Sequence, residues 1–215
     1  MKLLATHPWE EPLDFTARFS AEPDFALLYS GRKERFSGNF SFLFLEPTDQ
    51  RKGNSWKELP TSGNTDLPQW VGYLGYGMRG GIERYTRGEP SFIDLPDFWL
   101  TSYARLFRFD HGAKKIEEFG TQPRVTSHQS PVTKSSKIRA LKSNFTRSQY
   151  EASVDATLEK IRAGDFYQAN ITRKFFGEFE EAPDAWNIFR KLSEISPAPY
   201  SAFITTQLRP CSLAL

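Results

Sequence analysis

The sequence predicts an α+β fold, mostly antiparallel sheet flanked by helices, and three observations predict it. One aromatic-rich segment alternates along its length with a hairpin partner beside it. Several shorter apolar runs end at glycine or proline. Two amphipathic helical patterns stand in the last third of the chain.

In order, Asp24 to Ser30 (DFALLYS) is an apolar run ending at Gly31, and Phe40 to Leu45 (FSFLFL) is a second one closed by Pro47; both read as strands. Between Pro47 and Pro68 the text is polar and rich in turn formers, which predicts a surface loop. WVGYLGYGMRGGIERY, from Trp70, predicts strand or turn, because repeated glycine penalises helix. Phe98 to Phe109 puts Trp99, Thr101, Tyr103, Arg105, Phe107 and Phe109 in alternation with Leu100, Ser102, Ala104 and Leu106, so it predicts a long strand. Asp110-His111-Gly112 is a turn from which Lys115 to Phe119 returns. Gly120 to Ser143, with two prolines and many Ser and Thr, reads as a linker. Thr146 and Gln149 then form a capping box for a helix whose apolar stripe is Tyr150, Val154, Leu158 and Ile161, ended by Gly164 in a left-handed cap. AGDFYQANITRKFF follows as a strand carrying Gln168 and Asn170 on one face and Tyr167 on the other. Asp184 caps a second helix with the stripe Ile188, Phe189, Leu192 and Ile195, stopped by Pro197 and Pro199, before a last strand from Tyr200 to Thr206.

Composition bounds the function. The 28 Lys and Arg against 26 Asp and Glu leave a net charge of +2, which provides no basic stripe for nucleic acid. A single cysteine, Cys211, excludes an intrachain disulfide and a cysteine metal cluster and fits a reducing, cytoplasmic compartment. The opening MKLLATHPWEEPLDF is too short in apolar residues for a signal peptide, and no run is long enough to span a membrane.

Motifs of general chemistry are weak. GYGMRG, Gly75 to Gly80, has the letters of a dinucleotide fingerprint but lacks the following helix that would hold a pyrophosphate, so a glycine turn is the better reading. His7, His111 and His128 fall in expected loops without ligand spacing and read as surface histidines. Glu117-Glu118 and Glu180-Glu181 read as solvated charge. No residue set assembles a catalytic site by chemistry alone.

FTRSQYEASVDATLEKIRAGDFYQANITRKF, Phe145 to Phe175, resembles the opening of the chorismate-binding domain of aminodeoxychorismate synthase component I, a relative of anthranilate synthase component I. The shared letters are Thr146, Tyr150, Ile161, Gly164, Asp165, Tyr167, Gln168 and Asn170; the Tyr-Gln-x-Asn form is closer to the aminodeoxychorismate enzymes. ALLYSG, GYLGYGMRGGIE, LPD and SPAPYSAF extend the likeness from about Asp24 onward, with Gly77 replacing a usual Asp and Asn39 a frequent Arg.

The resemblance implies an incomplete part of an anthranilate synthase component I-like sandwich: an N-terminal region over 1–120, a linker over 121–143, and the truncated start of a chorismate-binding domain over 144–215. It implies a tryptophan-type pocket at Leu28, Ser30, Phe40, Tyr167, Gln168, Asn170, Pro199, Tyr200 and Ser201, with Gln168 and Asn170 buried and hydrogen-bonded. It further implies a parent that aminates chorismate to 4-amino-4-deoxychorismate with ammonia from a glutaminase subunit, aided by Mg2+ and a lysine. The tail QLRPCSLAL ends where the family's serine–proline–glutamate element is expected, so catalytic and metal-binding residues are expected outside 1–215. Anthranilate synthase component I, and a noncatalytic amino-acid-binding or subunit-interaction module, are the alternatives.

Overall fold

The computed structural model describes residues 1–35, 37–61, 63, 66–84, 95–121 and 137–205. In chain order the elements are β1 (Lys2–Pro8), α1 (Pro12–Ala17), β2 (Ala26–Tyr29), β3 (Phe40–Gly53), β4 (Val71–Leu74), β5 (Phe98–Asp110), β6 (Lys115–Gly120), β7 (Ile138–Ser143), α2 (Arg147–Ala163), β8 (Phe175–Phe179), α3 (Ala185–Ile195) and β9 (Ser201–Ile204). Single 3-10 turns cover Trp56–Glu58 and Tyr76–Gly81. The chain divides into two compact units, Met1–Val132 with Ala185–Leu215, and Thr133–Asp184.

The first unit is built on an antiparallel sheet of order β1-β6-β5-β3-β2-β9, with β4 pairing β5 as a side branch. The expected α+β class with mostly antiparallel strands is what forms. Alternation along the strands separates two apolar faces. Leu27, Leu43, Leu45, Phe107, Phe109, Ile116 and Phe203 meet Phe15 of α1 and Trp186 and Phe189 of α3 on one face. Ala26, Phe44 and Leu106 point to the other, where Val71 and Tyr103 cover them and Leu28, Phe42, Phe119 and Ile204 are only partly buried. Phenylalanine supplies most of the first core's volume, with Phe15 and Phe107 rings 5.0 Å apart and Phe189 and Phe203 rings 5.3 Å apart.

Two N-terminal elements lie outside the sequence expectations. β1 is an edge strand against β6, and α1 begins with Pro12 in its first turn and Asp14 close behind, a pairing that suits a helix start. Pro47 does not end β3. The strand runs on to Gly53, with Glu46 at φ 62° and a register shift between Pro47 and Asp49, so the imide sits at a bulge, beyond the Ala26–Leu28 ladder with β2. The loop expected after Pro47 therefore starts six residues later than its composition suggested. β5 and its return β6 form as the alternation indicated, joined by a turn in which Asp110 Oδ1 accepts from the Gly112 and Ala113 amides.

The second unit pairs β7 with β8 and carries α2. Thr146 and Gln149 cap α2 reciprocally, and Gly164, at φ 83°, closes it with a Schellman pair: Gly164 N–H donates to Ile161 and Asp165 N–H to Lys160. The α2 stripe is not a buried face: Leu158 is exposed and no residue of the helix is buried.

Four expectations change here. The strand expected to open at Phe166 begins only at Phe175, because among the described residues no neighbouring strand takes up the backbone of 166–173. The linker expected over 121–143 contains β7 from Ile138, while 122–136 lie outside the described residues. The region expected as one domain start, 144–215, is divided, since α3 and β9 pack into the first unit and β9 pairs β2. The buried face of α3 is Trp186, Phe189 and Ser193, with Ile195 exposed, a rotation from the Ile188–Ile195 stripe that follows from packing Trp186 against Phe25 and Phe203. Cys211, His128 and Thr206 lie outside the described residues.

Candidate functional site

The end of β2 meets the starts of β3 and β9. Leu28 pairs Phe42 on one side and Ala202 on the other, and Tyr29 pairs Ser201. Ser30 follows, with its hydroxyl 2.8 Å from the Phe40 carbonyl oxygen and 3.0 Å from that of Pro199. The neighbouring Gly31 N–H donates to Ala198 at 2.9 Å. Leu28, Ser30, Phe40, Pro199, Tyr200 and Ser201 thus come together at one seam, tied by backbone acceptors from two chain segments remote in sequence. Phe40 and Tyr200 are exposed there, and the Phe40 ring lies 6.2 Å from Phe42 and 5.4 Å from the Arg108 guanidinium.

Sequence reasoning missed two residues of this seam. Ser41 is fully buried and accepts from the Ser30 amide at 3.0 Å, and its hydroxyl lies 2.9 Å from His111 Nε2. The signal was present, since Ser41 stands on the Leu43 and Leu45 face of FSFLFL, where a polar residue needs an internal partner. His111 is no surface histidine. It packs edge-on to Trp9 at 5.3 Å, and burial, reinforced by Lys114, lowers its pKa.

Tyr167, Gln168 and Asn170 belong to the second unit, within 166–174, where none lies in a strand and all three are exposed. The expected burial of the two amides is not found, for the same want of a strand neighbour. A cavity of about 590 Å³ in this unit is lined by Arg147, Tyr150, Glu151, Arg173 and Phe175. Its charges are largely satisfied: Arg147 pairs Glu151 at 2.7 Å, and Arg173 donates to Ser143 at 2.9 Å while lying over Phe175.

Of the acids read as solvated, Glu180 and Glu181 are exposed, whereas Glu117 and Glu118 prove structural. Glu118 Oε1 accepts from Arg105 Nε at 2.8 Å, with Nη2 at 2.7 Å, and its other oxygen meets His7 Nε2 at 2.8 Å, so His7 also stands in a strand rather than a loop. Glu117 accepts from Arg108 and Lys115, and the Lys115 bond, with Arg108 acting in the same direction against burial, holds its pKa low. The sheet's second face carries a cavity of about 620 Å³ between Leu67, Pro68, Gln69, Tyr103, Arg108 and Phe119. Among the described residues no three His, Cys, Asp or Glu side chains approach closely enough to hold a metal ion.

The chorismate binding enzyme family profile matches residues 14–210. An anthranilate synthase component I-like protein of Synechocystis is 26% identical over 148 residues, 62% of this chain and 30% of that protein. Aminodeoxychorismate synthase component 1 of Escherichia coli is 27% identical over 151 residues, 66% of this chain and 33% of that protein. The chain thus spans about a third of these relatives' length. The crystal structure of anthranilate synthase component I from Streptococcus pneumoniae superposes with a TM-score of 0.55 at 16% identity, over 77% of this chain and 47% of that one, a likeness of fold. With a profile covering nearly all of its length, this chain belongs to the chorismate binding enzyme family.

Proposed function

We propose that the chain is the N-terminal portion of an enzyme that converts chorismate and glutamine-derived ammonia to 4-amino-4-deoxychorismate, toward 4-aminobenzoate and folate. The observation that carries this reading is Tyr167-Gln168-x-Asn170 behind a capped helix and a Gly164-Asp165 turn, inside a family match spanning residues 14–210. The glutaminase partner, the Mg2+ that would offset the substrate's carboxylate charge, and the nucleophilic lysine are assigned to the parent assembly in its cytoplasmic setting. What this chain supplies is scaffold and a ligand seam. Leu28, Ser30, Phe40, Pro199, Tyr200 and Ser201 form the part of an amino-acid pocket, for tryptophan or a similar aromatic amino acid, that the first unit holds. Tyr167, Gln168 and Asn170 are assigned to amino-acid binding on the motif alone.

Anthranilate formation is the second reading, favoured by the anthranilate synthase component I-like relative of Synechocystis. A product assay on the parent enzyme with chorismate, ammonia and Mg2+ separates them. Aminodeoxychorismate, trapped as 4-aminobenzoate by a lyase, is expected, and anthranilate fluorescence without it would overturn the first reading. Residues 1–215 alone are expected to show no chorismate turnover. Calorimetric titration with tryptophan tests the seam, with saturable binding weakened by Ser30→Ala as the expected result and no saturable binding removing the ligand assignment.

A further inference from the structure

The seam at Ser30 is held from behind by a relay whose far end can titrate. The Ser30 amide donates to Ser41 Oγ at 3.0 Å, and Ser41 Oγ lies 2.9 Å from His111 Nε2. Ser41 is fully buried, so its hydroxyl proton needs an acceptor, and the imidazole nitrogen is the acceptor within reach. That fixes the direction of the relay: Ser30 N–H donates to Ser41, and Ser41 O–H donates to an unprotonated Nε2, leaving the proton on Nδ1. The His111 amide is itself tied to the Asn39 carbonyl at 3.0 Å, so the ring is held where β3 begins.

We infer that His111 is a positioning residue for the Ser30 seam: in its neutral form it orients Ser41, Ser41 holds the Ser30 backbone, and Ser30 keeps its hydroxyl on Phe40 and Pro199. The hydrogen-bond chain stands on geometry alone; its consequence for a bound amino acid rests on the ligand reading above. Protonating Nε2 turns it from acceptor to donor. Ser41 Oγ then receives two protons, from Ser30 and from His111, while its own proton loses its acceptor inside the core. The surroundings give the imidazolium mixed support. Lys114 and Lys33 oppose the added charge, Glu11 and Asp110 favour it, and burial beside Trp9 outweighs the acids, so the pKa is lowered. The sign follows. With the folded pKa below the unfolded one, the stabilisation is complete above about pH 6.5 and is lost as pH falls through the folded value.

An internal reference lies at the other end of the same strand. The Phe25 amide donates to Thr205 Oγ1 at 2.7 Å, an amide-to-hydroxyl bond of the same kind whose hydroxyl donates to the Phe25 carbonyl oxygen at 2.9 Å rather than to an imidazole. Amide hydrogen exchange on residues 1–215, read as protection factors corrected for intrinsic rates, therefore compares Ser30 with Phe25 from pH 7.5 down to the onset of acid unfolding. Protection at Ser30 is expected to fall about tenfold relative to Phe25 across that range, roughly the loss of one such bond. His111→Phe keeps the ring but removes the acceptor, and should show the low Ser30 protection at every pH. His111→Gln places an amide near the Nε2 position, and should restore protection while abolishing its pH dependence. Equal losses at Phe25 and Ser30 in His111→Phe, or a pH dependence of Ser30 surviving in His111→Gln, would overturn the assignment. Tryptophan titration of the same variants is a separate readout, since absent binding with intact exchange behaviour removes the ligand reading and leaves the relay standing.

Discussion

The Ser30 hydroxyl lies 3.0 Å from the Pro199 carbonyl oxygen across 169 positions of sequence, and this bond fastens the turn before β9 to the end of β2. The same hydroxyl is 2.8 Å from the Phe40 carbonyl, so one proton serves two acceptors at the seam. Ser30→Ala leaves both without this donor in a half-buried position. A destabilisation of about 1 kcal/mol is expected, measured by urea unfolding with an unchanged m value.

Arg105 and Glu118 form a second polar pair, both almost fully buried and joined through two nitrogens to one oxygen. The value of such a pair lies less in its attraction than in what its loss exposes. Glu118→Ala takes the Oε1 acceptor away from a buried guanidinium, with Glu46 4.0 Å away, and should cost about 3 kcal/mol or more. Arg105→Met combined with Glu118→Leu removes both charges and should recover most of that loss. A double variant no more stable than Glu118→Ala in chemical denaturation would contradict this account.

β5 and β6 were legible because their alternation is long and their aromatic residues lie on buried positions, and α2 was legible through Thr146, Gln149 and Gly164, whose caps are local chemistry. The failures share another cause. Pro47 reads as a stop unless one knows that β2 has already ended beside β3, and Glu117-Glu118 read as solvated unless Arg105 and Arg108 of β5 are known to stand opposite. Cross-strand register decides both, and no local pattern encodes it. At the candidate site, Ser30 and Pro199 came from motif likeness. Ser41 and His111 depend on a contact spanning β3 and the β5–β6 turn. The strand expected at 166–172 failed because alternation states which face a side chain would take, not whether a neighbour exists to pair with it.

Glu117 gives the fold an acid-side dependence. Its pKa is lowered mainly by the Lys115 bond, with burial opposing and Arg108 assisting, so its contribution is present above the ordinary value of 4.5 and lost as pH falls through the depressed one. Glu117→Gln should be less stable than the parent at pH 8, where the ionised carboxylate's contribution is complete, and the two should converge as pH falls through the depressed value. Denaturation midpoints of the two proteins that run parallel from pH 8 to pH 4 would show that Glu117 carries no such linkage.

Gly72 tests how β4 is attached. A Cβ built there would stand 1.8 Å from the Trp99 carbonyl oxygen and 2.9 Å from Leu100 Cα, and both are backbone atoms of β5 that cannot swing aside as a side chain could. Gly72 also pairs Leu100 directly, so relief requires β4 to separate from β5 along the Val71–Leu74 ladder. Val71 covers Phe44 and Tyr103 on the sheet's second face, and it would lift with the strand. Gly72→Ala should therefore do more than strain one residue: it should unlock β4 and expose the Tyr103 phenol, whose pKa burial pushes up to about 12. In a spectrophotometric titration, one tyrosine is expected to ionise near 12 in the parent chain and to shift toward 10 in Gly72→Ala. Because a raised folded pKa contributes stability below pH 10 that disappears as pH rises through 12, the variant should also lose the parent's alkaline decline in stability. A Gly72→Ala protein whose late tyrosine still titrates near 12 would show that β5 absorbs the added methyl without releasing β4.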